Sequence, residues 1–76
     1  METISDELRQ LTEGSVWSDE NQRIIIIFRI IWANAVRVES FELLIIPDMK
    51  MVVRPALQIE SLVKTGKMQF VRDCRN

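Results

Sequence analysis

The run Ile24–Trp32 is apolar except for Arg29, and it constrains the fold more than any other feature of the chain. Six of its nine residues are isoleucine, whose branched side chain favours a strand over a helix. A surface strand alternates apolar and polar residues, because successive side chains point to opposite faces of the sheet. Here both faces are apolar. The sequence therefore predicts a central strand that is covered on two sides.

The length of the chain limits how well such a strand can be covered. With 76 residues and a hydrophobic content of 47%, we expect one folded domain over 1–76, near the lower size at which a core is stable without disulfides or metals. A domain this small has little material for a second covering layer. We therefore expect a homodimer or a dedicated protein partner, with burial inside the chain's own core as the alternative.

Shorter elements are predicted around this strand. Ser5 precedes two acidic residues in the manner of a helix N-cap, so we expect a short N-terminal α-helix over about 5–12. Alternating segments separated by turn residues predict five strands within about 14–71. A helical turn over 59–65, ended by Gly66, precedes the last strand, and 72–76 is expected to be a frayed tail.

Five strands in so short a chain favour a small barrel or a strongly coiled antiparallel sheet, because closure hides the edge strands. The segment Leu-Thr-Glu-Gly-Ser-Val-Trp at 11–17, the polar hairpin loop after it, and the turn at 60–66 before Met-Gln-Phe-Val at 68–71 resemble small SH3-like barrels. The resemblance implies an architecture and no particular function. Because the chain has no tyrosine, the aromatic groove for proline-rich peptides is not expected.

The residue types that most catalytic and metal sites need are scarce. The chain has no histidine, the usual base for a serine or cysteine nucleophile and a common zinc ligand. The one cysteine, Cys74, has no disulfide partner in the chain and is expected to be an inert thiol, which suits a reducing cytoplasm. No apolar run reaches the roughly 20 residues of a membrane span. We expect a cytoplasmic non-enzyme with no catalytic residues, metal, cofactor, small-molecule substrate or membrane partner.

Arg29 needs its own explanation, because a charge within an apolar strand must be paired, exposed or placed at an interface. By strict alternation it shares a face with Ile25, Ile27 and Ile31. It either extends to solvent or pairs with Glu39 or Glu42 of the next strand, or it anchors a protein contact, where arginine is enriched. For such a contact we expect an interface made of Arg29, Trp32, Leu43, Leu44, Ile45 and Ile46.

Two functions follow from these features. The first is a small non-enzymatic interaction protein that binds and modulates another macromolecule; by its size the chain resembles accessory and inhibitor proteins of phages and mobile elements. The alternative is a small β-barrel that binds nucleic acid, with the contacts Arg37, Lys50, Arg54, Lys64 and Lys67. A net charge of −1 argues against the alternative. So does the expectation that the aromatic residues, which bases would stack on, all lie in the core: Trp17, Phe28, Trp32, Phe41 and Phe70.

Overall fold

The structure is a computed structural model that describes residues 8–73 of the chain. Within these residues a 3₁₀ turn at Leu8–Gln10 is followed by five strands and one α-helix. In chain order these are β1 (Ser15–Asp19), β2 (Ile24–Trp32), β3 (Val38–Ile46), β4 (Lys50–Pro55), α1 (Ala56–Lys64) and β5 (Met68–Asp73). The isoleucine-rich run is therefore a strand over its whole length, as its composition predicted.

All five strands lie in one antiparallel sheet with the order β4-β3-β2-β1-β5. The expected mainly β fold is confirmed, and β2 is its central strand. A closed barrel is not confirmed, because β4 and β5 form the two edges of the sheet and do not pair with each other. Charged side chains at Lys50 and Arg54, together with Pro55, protect the β4 edge against pairing with another chain.

The α-helix is not N-terminal, so this part of the predicted fold is wrong. Of the segment 5–12, residues 5–7 lie outside the described part of the chain, and the described remainder contains only the 3₁₀ turn. The helix is α1, between β4 and β5, and it is longer than the helical turn that the sequence predicted over 59–65. No side chain caps its start at Pro55, so the sequence lacked the usual signal for its first residue.

The end of α1 follows the prediction closely. Gly66 has a φ of 77°, a left-handed conformation that glycine adopts with little strain. The N–H groups of Gly66 and Lys67 donate to the carbonyl oxygens of Val63 and Leu62 at 3.1 and 2.9 Å. This is the Schellman pattern expected when a glycine follows the C-cap of a helix.

The core lies between α1 and one face of the sheet. Because β4 and β5 are opposite edges, α1 carries the chain across that face and packs against β3, β4 and β5. The sheet thus buries one of its faces against the helix and does not need to close upon itself. The core cluster consists of Leu11, Trp17, Ile25, Ile27, Phe41, Leu43, Ala56, Ile59, Val63 and Met68.

Two aromatic residues depart from the expectation that all of them lie in the core. Phe28 and Trp32 are 59% and 54% exposed. The pairing of β2 with β3 shifts between Ile27 and Arg29, so Phe28 has no cross-strand partner and lies in a bulge. A second irregularity precedes Trp32, the last residue of β2. The other three, Trp17, Phe41 and Phe70, pack in or against the core.

Candidate functional site

The bulge at Phe28 decides which way Arg29 points. Before the bulge, Ile25 and Ile27 are buried in the core. After it, Ile30 packs against the core and Arg29 pairs with Glu42. Cross-strand partners lie on the same face of a sheet, so Arg29 lies on the face opposite the core. The predicted grouping of Arg29 with Ile25 and Ile27 is therefore wrong, because the extra residue reverses the alternation.

The face opposite the core, here called the open face, carries a continuous set of apolar side chains. The cross-strand pairs define three rows on it: Ile46–Ile24–Ser18–Gln69, Met51–Leu44–Ile26–Val16–Arg72 and Val53–Glu42–Arg29, followed by Ile31 opposite Ser40. Val16 is buried, Met51 and Val53 are exposed, and the remaining apolar residues are half-buried. The open face is therefore defined as Val16, Ile24, Ile26, Ile31, Leu44, Ile46, Met51 and Val53 with Arg29 and Glu42. Its margin on the edge strand β5 is polar and carries Gln69 and Arg72.

The open face has no second layer among residues 8–73. All five strands belong to the same sheet, and α1 buries Ala56, Ile59 and Val63 in the core on the other side. An antiparallel sheet with one solvated face normally carries polar residues on that face. Here β2 and β3 place isoleucine and leucine there instead. Contiguous apolar surface of this kind is uncommon on monomeric proteins.

Arg29 and Glu42 form an ion pair within the apolar surface. The Nε of Arg29 lies 3.2 Å from a carboxylate oxygen of Glu42, and their side chains are 61% and 22% exposed. The expectation that Arg29 pairs with Glu39 or Glu42 is thus confirmed for Glu42. Because each charge offsets the other, the pair leaves the open face with no net charge at this point.

The predicted interface residues do not lie on one surface. Arg29, Leu44 and Ile46 belong to the open face, whereas Leu43 is buried in the core and Ile45 packs against it. The run 43–46 is divided in this way because successive side chains of β3 point to opposite faces. Trp32 pairs with Val38, which packs against the core, so it lies on the helix side of the sheet. Sequence reasoning missed the open-face residues of β4, Met51 and Val53, although they alternate with the half-buried Val52.

A cleft of about 310 Å³ lies on the other side of the molecule. Its apolar floor includes Ile45, Val52 and Leu62 from β3, β4 and α1. Three of the five basic residues predicted for nucleic-acid contact line it, and acidic side chains also contribute to its rim. The charged residues along the cleft are Asp19, Glu20, Arg23, Asp48, Lys50, Arg54 and Lys67. Arg37 and Lys64 do not line it, so the structure does not gather all five predicted contacts.

Asp19 organises the turn between β1 and β2 at the end of this cleft. Its carboxylate accepts hydrogen bonds from the backbone N–H groups of Asn21 and Arg23 and from the Arg23 Nε, all between 2.8 and 2.9 Å. Burial by itself raises the pKa of Asp19, but the hydrogen bonds from Arg23 and Asn21 and the positive charge of Arg23 outweigh it. The pKa of Asp19 is therefore held below its ordinary value.

Within the described part of the chain, no group of three or more acidic or cysteine side chains is arranged to hold a metal ion. Among residues 8–73 no helix has the length and apolar character needed to cross a membrane. Cys74 lies outside the described residues. Comparison of the chain with protein-family models, curated proteins and solved structures finds no match. The open face and the charged cleft are the two surfaces that offer a binding site within residues 8–73.

Proposed function

We propose that this chain is a small non-enzymatic interaction protein that binds and modulates another macromolecule, and that it makes protein contact through the open face. One observation supports the proposal above the others: the central strand presents apolar side chains to a side of the sheet that has no second layer in 8–73. Covering that surface removes apolar area from water, which is the main driving force for association.

The Arg29–Glu42 pair gives such a contact its selectivity. A partner that covers the open face must also accommodate two opposite charges 3.2 Å apart. A purely apolar surface would desolvate the pair without offering new hydrogen bonds, whereas a surface with matching charges is favoured. We extend the proposal to the role of an accessory or inhibitor protein of a phage or mobile element, which is supported by the small size of the chain alone.

The proposal is tested by weighing the native complex in extracts of cells that produce the tagged full chain. Native mass spectrometry should find the chain in a stoichiometric complex with protein. Leu44→Lys, which places a charge on the open face, should abolish that complex. Leu57→Lys is the matched control, because Leu57 is exposed on α1 at the other side of the molecule. A wild-type chain that is a free monomer in the extract would contradict the proposal, as would equal loss of the complex in both variants.

The alternative function, nucleic-acid binding, is supported by the meeting of Lys50, Arg54 and Lys67 around one cleft. Phe28 and Trp32, which we expected in the core, are exposed and offer aromatic rings on which bases could stack. If it holds, affinity for DNA or RNA falls steeply with salt, and Lys67→Ala reduces the slope. Lys64→Ala is the control, because Lys64 does not line the cleft. Absence of salt-dependent binding would eliminate this alternative.

A further inference from the structure

We infer that the protein bound at the open face is a second copy of this chain, so that the protein is a two-fold symmetric dimer with its sheets packed face to face. The inference rests on the proposed function, since it takes the open face to be a protein-binding surface. The placement of the charges on the face favours this occupant over an unrelated protein, and the area of the face is compatible with it.

The Arg29–Glu42 pair at the centre of the open face is complementary to itself, and Arg72 on the edge strand β5 lies outside it. Arg29 and Glu42 lie directly opposite each other on β2 and β3. A two-fold axis that runs along the strands between β2 and β3 places Arg29 opposite Glu42 of the partner subunit, and Glu42 opposite Arg29 of the partner subunit. The four charges then alternate in sign around the axis, so each one faces two opposite charges.

The same axis also pairs the apolar residues. Leu44 and Ile26 are cross-strand partners in the row next to the ion pair. The axis brings Ile26 opposite Leu44 of the partner subunit, and apolar side chains from the two sheets can interdigitate as in other aligned sheet packings. The bulge at Phe28 is essential to this arrangement, because it places Arg29 on the same face as these residues.

The area of the open face is close to the lower limit for a dimer interface. The strands β1, β2, β3 and β4 contribute 5, 9, 9 and 6 residues, which at a rise of about 3.3 Å and a spacing of about 4.8 Å give a flat face of about 460 Å² per chain. Two such faces cover about 920 Å² together, more than most chance contacts and near the roughly 1,000 Å² expected of a biological interface. The side chains that project from the face add to this flat area.

The test uses purified full-length chain and charge reversals, with sedimentation velocity measured over a wide range of concentration. Wild-type protein should be a dimer. Arg29→Glu leaves two acids on each face and Glu42→Arg leaves two bases, so each variant alone should raise the dissociation constant at least about tenfold. An equimolar mixture of the two variants should form a heterodimer, because the acidic face of one variant then meets the basic face of the other. Arg37→Glu is the control and should leave the dimer intact, because Arg37 is exposed and lines a hollow with Leu57 and Glu60 of α1 on the other side of the sheet.

The mixing experiment separates contact between chains from a pair that acts only within one chain. If Arg29 and Glu42 support only their own subunit, mixing the two variants restores nothing, and the inference is overturned. A monomeric wild-type chain, or a dimer that neither reversal weakens, overturns it as well. Circular dichroism of each variant identifies any loss of folding, and Leu44→Lys then serves as a second disruption of the same face.

The results also distinguish failure of this inference from failure of the proposed function. A purified monomer that forms an open-face-dependent complex in cell extract contradicts the second copy but retains the protein-binding surface. A chain that is monomeric in both settings contradicts both proposals.

Discussion

The indole N–H of Trp17 donates a 2.9 Å hydrogen bond to the hydroxyl oxygen of Ser15, and neither residue has any solvent-exposed surface. The Ser15 hydroxyl donates in turn to the carbonyl oxygen of Thr12 at 2.6 Å. The Ser15 hydroxyl thus provides the acceptor for the indole N–H of Trp17, the largest residue in the core. It also links β1 to Thr12 in the preceding segment. A buried polar atom without a partner is costly, so the stability of the fold depends on the Ser15 hydroxyl.

Ser15→Ala should lower the free energy of unfolding by about 1–3 kcal/mol, since the Trp17 N–H loses its acceptor in the core. Urea denaturation followed by tryptophan fluorescence measures the change, and buried Trp17 dominates the shift because Trp32 is already exposed in the folded protein. Ser18→Ala is the matched control: Ser18 is on the same strand but lies opposite Ile24 on the other face, and its removal should change stability by less than about 0.5 kcal/mol. Equal effects of the two substitutions would contradict the role assigned to Ser15.

Ile59→Ala should destabilise the fold by about 2–5 kcal/mol, because Ile59 on α1 is almost completely buried between the helix and the sheet. For a domain of this size each kcal/mol corresponds to roughly 4–8 °C in Tm, so thermal unfolding followed by circular dichroism gives a clear readout. Leu57→Ala on the same helix removes a largely exposed side chain and should leave Tm nearly unchanged. A reversed order of the two effects would show that α1 packs through another face.

Asp19→Asn should lower stability by about 1–2 kcal/mol at neutral pH, because it weakens the charge-assisted hydrogen bonds within the β1–β2 turn. The folded-state pKa of Asp19 lies below its ordinary value. The stabilisation is therefore fully present above that ordinary value and is lost as the pH falls through the lowered pKa.

The corresponding measurement is urea denaturation of the wild type and Asp19→Asn from neutral pH down to strongly acidic pH. The difference between the two proteins should be constant above about pH 5 and shrink as the acid range is entered. Glu20→Gln, at the neighbouring exposed position, is the control for general loss of an acidic group. A difference that does not depend on pH would refute the contribution of the Asp19 charge.

Gly66→Ala should cost about 1–2 kcal/mol although it creates no clash. A Cβ at this position has no heavy atom within 4 Å, so the cost comes only from holding a residue with a side chain at a φ of 77°. Gly66→Asn should cost less, because asparagine tolerates the left-handed region better. If alanine and asparagine have the same effect on chemical denaturation, the left-handed backbone is not the cause.

Local sequence signals predicted those elements whose cause is local. The central strand follows from the branched side chains of Ile24–Trp32, and the end of α1 follows from Gly66. The N-terminal helix was wrong: the described residues of that segment contain only the 3₁₀ turn Leu8–Gln10, because a capping signal alone does not stabilise so short an α-helix. The length of α1 was underestimated because its first residues follow a proline and carry no capping side chain. Its stability comes from the contacts of Ile59 and Val63 with the sheet.

The sequence by itself determined that β2 is a strand apolar on both sides and that the charge of Arg29 must be paired, exposed or placed at an interface. Only the tertiary structure decided which side Arg29 occupies, because one unpaired residue at Phe28 exchanges the two faces of the strand beyond it. The position of that bulge depends on how β2 aligns with β3. This alignment is set by contacts between the two strands and cannot be read from the alternation of residues along β2. Helix α1 then covers one face of the sheet, and the other is left with the Arg29–Glu42 pair among isoleucine and leucine side chains.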